Sequence, residues 1–418
     1  MQRIALVAGG IAASPVSRGF AASSGRTGRV VVIGAGFGGA TAAKTIKRWA
    51  PQIDVTIVER SGEFISCPLS NLVVGGNADI RDLGFSYDGL RRRGIAVVRD
   101  EAIEVDTVKR AVRLSGGGVL AYDRLIIAPG VEIQVDAIPG LDSAEAQSRV
   151  LHAWKAGAQT LALRRQLEAM ADGGVYAVHL PLEPFRCPPA AYERVCQVAD
   201  YFRRAKPRSK ILVLDSNEDI LSKKALFLAA WNGQYKGMIE YRPNSELVEV
   251  DAKTLTAKLL FEDVRADVLN VIPPQRAGAI AARAGLINAN NRWCMVDWTT
   301  LESTAVKGVH ILGDATLSGP AMPKSATMAN QHAVVCAAAI IALMHGEAVN
   351  PRPVMANTCY SFVDARQAMH VASVYAYDRA EKTMLAIKGA GGLSEKASEQ
   401  EGLYAWGWAR NLWAGALA

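Results

Sequence analysis

The sequence predicts an α/β protein: two Rossmann-like, doubly wound domains of the dinucleotide-binding type, then a C-terminal α+β interface domain. Three observations carry that expectation. A β-branched strand beginning at Arg29 runs into a glycine-rich turn and a helix. Apolar strands recur near 54–58, 125–127, 174–180, 210–215 and 309–312, separated by helix-like stretches, as in parallel sheets covered on both faces. From about Pro351 the composition shifts toward tyrosine and tryptophan. The expected organisation is a signal peptide over 1–21 and a discontinuous nucleotide-binding domain over 28–136 and 276–350. A second Rossmann-like domain follows over 137–275, and the interface domain spans 351–418.

Composition narrows the classes. The chain has 418 residues, 50% of them apolar and 21% charged, enough for a sizeable core and two to three domains. The net charge of +7 is spread along the chain, and the densest run, Arg91-Arg92-Arg93, is short, so a nucleic-acid surface is not expected. Six cysteines are too few for a disulfide-built scaffold.

Residues Ile4 to Ala13 are apolar and small, flanked by Arg3 and Ser14-Pro15, and Gly19-Phe20-Ala21 offers small residues at a cleavage position. This reads as an export signal cut near Ala21, which places the mature chain in the periplasm. The other apolar run, Ala333 to Met344, has 12 residues, short of the about 20 needed to span a bilayer, and reads as a buried helix. No stable membrane insertion is expected.

Arg29-Val30-Val31-Val32-Ile33 suits a strand buried on both faces, and Ala40 to Trp49 reads as a helix. Between them Gly34, Gly36 and Gly39 fill the G-x-G-x-x-G pattern in its strand–turn–helix context. Gly34 permits the tight turn, Gly36 lets a pyrophosphate approach the backbone, and Gly39 lets helix and strand pack closely. The helix N-terminus offers free N–H groups and about half a positive charge. The next strand, Asp54 to Val58, ends at Glu59, 20 residues beyond Gly39, where a carboxylate can bind ribose hydroxyls.

Leu125-Ile126-Ile127-Ala128-Pro129-Gly130 and Val309-His310-Ile311-Leu312-Gly313-Asp314 are two further strands ending in turns. With the glycine turn, they resemble the flavoprotein disulfide-reductase superfamily over nearly the whole chain. The resemblance implies an FAD site that includes Ala128, Gly130, Gly313 and Asp314, with Asp314 toward the ribityl chain. The helix after Pro323 would then aim its positive end at the flavin.

Reductases of that superfamily carry a second glycine turn for NAD(P)H. Here the strand Gly174 to Leu180 runs into Pro181-Leu182-Glu183-Pro184-Phe185-Arg186-Cys187-Pro188-Pro189. Prolines and bulky side chains stand where a pyrophosphate needs bare backbone, so the nicotinamide site is expected to be lost. Cys187 takes the place of the missing loop, at the strand ends where ligands bind in open α/β sheets. Glu193 follows on a helix. Cys67 lies in Ser66-Cys67-Pro68-Leu69-Ser70-Asn71, and Cys359 in Asn357-Thr358-Cys359-Tyr360-Ser361.

These cysteine segments and the aromatic C-terminus resemble the flavoprotein subunit of flavocytochrome c sulfide dehydrogenase, a branch related to sulfide:quinone oxidoreductases. The resemblance implies a redox disulfide between Cys187 and Cys359, a thioether from Cys67 to FAD, and an acid at Glu193 beside the bridge. Lys324 would add positive charge near the flavin. The segment Pro323-Lys324-Ser325-Ala326 departs from the family in lacking the glycine usually found after Lys-Ser. Cys196, Cys294 and Cys336 read as buried inert thiols. No Cys-x-x-Cys-His occurs and the six histidines are scattered, so no metal site is expected and any haem belongs to a c-type cytochrome partner.

The chemistry implied is attack of hydrosulfide on a disulfide, then passage of two electrons to FAD and onward singly to the cytochrome. Two rivals stand beside it. One is a membrane-bound sulfide:quinone oxidoreductase, which would want an amphipathic C-terminal helix pair. The other is a non-catalytic flavoprotein that activates a sulfur-oxidation system.

Overall fold

The computed structural model describes residues 28–418. The export-signal expectation over 1–21 lies outside the described residues. The first sheet has seven strands in the order Val296–Asp297, Glu302–Ser303, Val309–Ile311, Arg124–Ile127, Arg29–Ile33, Asp54–Val58 and Ala96–Val98. Its five larger strands are parallel and the two short ones antiparallel. Val30 to Ile33 and Leu125 to Ile127 are buried on both faces, which is why they read as unbroken apolar runs. Each such side chain contributes about 1.5–3 kcal/mol of burial. The faces are covered by helices, chiefly Phe37–Trp49 and Ala326–His345, which pack on each other.

A second, four-stranded parallel sheet runs Ile239–Arg242, Lys210–Asp215, Val175–Leu180 and Val268–Val271. The chain leaves the first sheet through Val131–Ile133 and returns through Gln275–Ala277, and these two segments pair antiparallel. The last region is a three-stranded antiparallel sheet, Val354–Phe362, Ala368–Asp378 and Thr383–Leu393, followed by the helix Glu399–Leu417.

One expectation changes in extent. The apolar run expected at Ala333 to Met344 is part of a 20-residue helix, long and apolar enough to cross a bilayer by length and composition. That helix packs inside the chain, against Phe37–Trp49 and the strand Val354–Phe362. The region expected as a C-terminal α+β interface domain ends in one 19-residue helix. It buries Ala405, Ala409, Leu412, Trp413 and Ala416, because small residues recur at helical spacing on one face.

Candidate active site

One cavity of about 580 Å³ runs from the glycine turn to the cysteines. At one end the turn forms as the motif requires. Gly34 has φ +95°, and a Cβ there would lie 2.4 Å from the Ala128 carbonyl oxygen. A Cβ on Gly39 would lie 1.9 Å from the Gly34 carbonyl oxygen, so helix and turn touch backbone to backbone. Gly36 faces open space and begins the helix Phe37–Trp49 with no side-chain cap, leaving its first N–H groups to the cavity. Glu59 accepts from Ala35 N at 2.9 Å and from Ser61 N at 2.8 Å, which fixes its carboxylate on the cavity wall.

At the far strand tips, Gly313 has φ +66° and Asp314 lines the cavity. The Asp314 Oδ1 atom is buried with no hydrogen-bond partner, and burial pushes its carboxyl pKa up. An orphaned buried acceptor of this kind needs a donor such as a ligand hydroxyl. Ser325, Ala326 and Ala329 bring the start of the long helix to the same wall. A bare-backbone cradle, a fixed acid and an orphaned acceptor together fit an extended dinucleotide with a polyol chain.

The sulfur end is assembled from three regions. Cys187 sits at φ +53°, a left-handed conformation that costs a non-glycine residue about 1–2 kcal/mol. It is held by its own N–H to the Lys324 carbonyl at 3.0 Å and by its carbonyl to Ala190 N at 2.9 Å. Cys359 comes from the middle of Val354–Phe362, with its sulfur 3.5 Å from Asn357 Oδ1. Both thiols are free and face the cavity, as does Cys67. Burial raises the Cys187 pKa, and the neighbouring Cys359 and Glu193 raise it further. Burial also raises that of Cys359, against the opposing pull of Lys223, Ser325 and Asn357.

Glu193 is buried on the helix Pro189–Ala205 and lines the same cavity. Its two oxygens accept from Asn71 Nδ2 and Phe362 N, each at 2.8 Å. Burial raises its pKa while these two donors hold the carboxylate form. Arg186 donates to the Trp154 carbonyl, and its charge faces Asp314 and Cys187.

The second sheet has no comparable cradle. Its helix starts at Pro189 with Pro188 as cap, so two of the N–H groups that would meet a phosphate do not exist. The acid at the tip of Lys210–Asp215 is fully buried. Asp215 accepts from Tyr192 Oη at 2.7 Å, Tyr241 Oη at 3.1 Å and Asn217 at 2.7 and 3.0 Å, so its capacity is spent inside the protein.

Comparison with known proteins agrees with this division. Residues 28–169 match the pyridine nucleotide-disulphide oxidoreductase family. Residues 160–273 match the central part of the sulfide dehydrogenase (flavocytochrome c) flavoprotein chain, and 351–417 match the flavocytochrome c sulphide dehydrogenase flavin-binding region. A 47-residue stretch is 53% identical to the sulfide dehydrogenase (flavocytochrome c) flavoprotein chain of Chlorobaculum thiosulfatiphilum, covering 11% of this chain and 98% of that one. The chain belongs to the flavocytochrome c sulfide dehydrogenase flavoprotein family.

It is also 24% identical over 331 residues to mouse mitochondrial sulfide:quinone oxidoreductase, covering 73% of this chain and 69% of that one. The solved sulfide:quinone oxidoreductase of Aquifex aeolicus superposes with a TM-score of 0.76 at 17% identity, over 93% of this chain and 92% of that one. The α/β fold with dinucleotide-binding-type domains is therefore as expected, and the chain is an FAD-binding flavoprotein of the sulfide-oxidising type.

Of the residues singled out from sequence, Gly34, Gly36, Glu59, Cys67, Ala128, Gly130, Cys187, Glu193, Gly313, Asp314 and Cys359 all line the one cavity. Gly39 stands behind it in its packing role. Lys324 is a correction, since it is not on the cavity wall. Its ammonium bonds the carbonyls of Asp314 and Thr316 and lies 3.7 Å from the centre of the Trp293 ring. The ammonium is tied to the loop that carries Asp314, on whose carboxyl its charge acts, and the Lys324 carbonyl holds Cys187. Of the expected inert thiols, Cys196, Cys294 and Cys336 are all buried. Sequence reasoning missed Lys223, Arg186, Asn71 and Ser361. Only Arg186 carried a local signal, standing next to Cys187 inside a proline-rich loop.

Proposed function

We propose that this chain is the flavin subunit of a periplasmic sulfide dehydrogenase. It oxidises sulfide through a Cys187–Cys359 disulfide and delivers electrons to a c-type cytochrome. The observation that carries the reading is the placement of both thiols on the cavity that begins at the glycine turn, in a chain whose second nucleotide seat is closed by Pro188, Pro189 and the self-satisfied Asp215.

Gly34, Gly36, Glu59, Ala128, Gly130, Gly313 and Asp314 would hold FAD, and Cys67 would tether it covalently. When bound, FAD supplies an acceptor for two electrons that can release them one at a time. The protein's part begins with hydrogen sulfide entering the cavity. Glu193 takes its proton on a carboxylate oxygen, since a carboxyl raised by burial is a better base near neutral pH. The resulting hydrosulfide attacks one sulfur of the bridge. A new S–S bond forms as the old one breaks, and the displaced cysteine keeps the bonding pair as a thiolate. Over the cycle, hydrosulfide yields zero-valent sulfur, a proton and two electrons, which two ferricytochromes accept. The domain 351–418 would present Tyr404, more than half exposed on the C-terminal helix, toward such a partner, while Trp408 on the same helix walls the cavity.

A second acceptor is supported by the mouse and Aquifex relatives, both sulfide:quinone oxidoreductases. Purified protein with sulfide, offered cytochrome c or a soluble quinone in parallel, separates the two. Cytochrome reduction at the higher rate is expected, and exclusive quinone reduction would replace the acceptor. Denaturation in acid tests the tether: colour retained on the protein supports Cys67, and free FAD removes it.

A further inference from the structure

Lys223 is 5% exposed and stands just before the helix Lys224–Asn232 in the left-handed conformation, φ +56°. Its Nζ donates to Ser361 Oγ at 2.8 Å and lies 3.4 Å from the Cys359 carbonyl oxygen. Phe227 is 5.9 Å from it on the far side. It makes no ion pair among the described residues, in contrast with Arg124, which pairs with Glu302. Asn357, Cys359 and Ser361 alternate along Val354–Phe362, so they share the face to which Lys223 is pinned.

Its hydrogen-bond partners are neutral, and the acids that face it are Glu193 and, from the C-terminal helix, Glu401, beside the two thiols. A buried ammonium is costly unless opposite charge offsets it, so an anion formed beside it is stabilised. Opening of the bridge by sulfide supplies that anion. The intact bridge is neutral. Attack by hydrosulfide leaves a persulfide on one cysteine and a thiolate on the other, with one negative charge shared between the two sulfur sites. The titratable groups facing Cys359 are Cys187 and Glu193 from the neighbouring loop and helix, Tyr375 from the next strand, and Lys223. Among those four, Lys223 is the sole cation.

We propose that Lys223 is the built-in counter-ion for the negative sulfur that appears at Cys359 when the bridge opens, acting through its strained backbone position and its bond to Ser361. The inference rests on the sulfide-oxidising reading. It adds a positioning residue which that reading does not require.

The test uses reduced holoprotein without sulfide. The pH dependence of alkylation by iodoacetamide is followed at Cys359 by peptide mapping, in wild type, Lys223→Met, Lys223→Arg and Ser361→Ala. In Lys223→Met the Cys359 profile is expected to move up by about one pH unit, a roughly tenfold slower reaction near neutral pH. Lys223→Arg restores the rate to within about threefold, because charge rather than shape is what counts. Ser361→Ala, which frees the ammonium without removing it, shifts the profile the same way by a smaller amount. That variant decides the matter if Lys223→Met does not fold. An unchanged Cys359 profile in whichever of the two is folded overturns the proposal, as does a failure of Lys223→Arg to restore the rate. Because no sulfide is present, this failure would leave sulfide oxidation standing. Failure of wild type to be reduced by sulfide would remove that reading and leave the thiol result intact.

Discussion

The two parallel sheets of this chain share a frame and differ in the loop that leaves the central strand. After Arg29–Ile33 the turn is glycine and the helix begins with open N–H groups, giving a phosphate cradle. After Val175–Leu180 the turn is Pro-Leu-Glu-Pro-Phe-Arg-Cys-Pro-Pro, and the helix begins with two residues that have no N–H. The strand-tip acids diverge in the same way. Glu59 keeps its carboxylate on the cavity, whereas Asp215 is consumed by two tyrosines and an asparagine. The lesson is that a doubly wound half-domain can keep its packing and exchange its ligand by altering one loop, because the sheet is stabilised by its buried strands. In the second half, the Cys187 thiol stands at the start of the helix, on the cavity wall.

The sharpest way to break that comparison is to remove the thiols. Cys187→Ser or Cys359→Ser should lower sulfide-dependent turnover by about a thousandfold or more while the protein stays folded and yellow, as steady-state rates and an absorption spectrum would show. Turnover within tenfold of wild type in either variant means the second seat is not a sulfur site. On the other half, Gly39→Ala places a methyl group against the Gly34 carbonyl. It should cost about 3 kcal/mol in urea unfolding and deplete bound flavin, since overpacking against backbone cannot relax. The equivalent surgery on the second sheet, Pro188→Ala, should leave the flavin content unchanged.

Glu193→Gln sharpens the account of proton transfer. Its carboxyl pKa is raised, so the wild-type rate should fall as pH drops through that raised value, where the base becomes protonated. The amide cannot take the proton. The variant should therefore be about a hundredfold slower and lose this acid limb in a pH–rate profile. A normal limb in the variant would assign the base elsewhere.

The smallest effect concerns Lys324, whose pKa burial lowers to about 8. The unfolded chain holds the lysine proton up to its ordinary range, while the folded chain releases it from about pH 8. Wild type should therefore gain stability relative to Lys324→Met as pH rises from about 8 to 10. Parallel melting curves check the sign, and a flat difference would mean that the ammonium is not desolvated.

How much of this molecule is legible in its sequence depends on where each constraint lives. Gly34 and Gly39 are legible because the carbonyls of Ala128 and Gly34 stand where their side chains would be, and a local backbone need leaves a local mark. Cys187 among prolines is legible for the same reason. Lys223 is not, because its partners are Cys359 and Ser361, more than a hundred residues away, and one more lysine on a basic chain carries no signal. Lys324 misleads for the converse reason. It stands beside the long helix that reaches the cavity, but its ammonium turns to the Asp314 and Thr316 carbonyls. The small residues of the C-terminal helix serve as close packing on Phe37–Trp49, a partner more than 300 residues away in sequence.

The central claim is that sulfur, and no nicotinamide, reduces this protein. Anaerobic titration of the oxidised holoprotein with sulfide and separately with NADH, following the flavin absorption band, addresses it directly. The account predicts full bleaching at about one sulfide per flavin, no bleaching by NADH, and none by sulfide in Cys187→Ser. Bleaching by NADH, or equally fast bleaching by sulfide in Cys187→Ser, would contradict it.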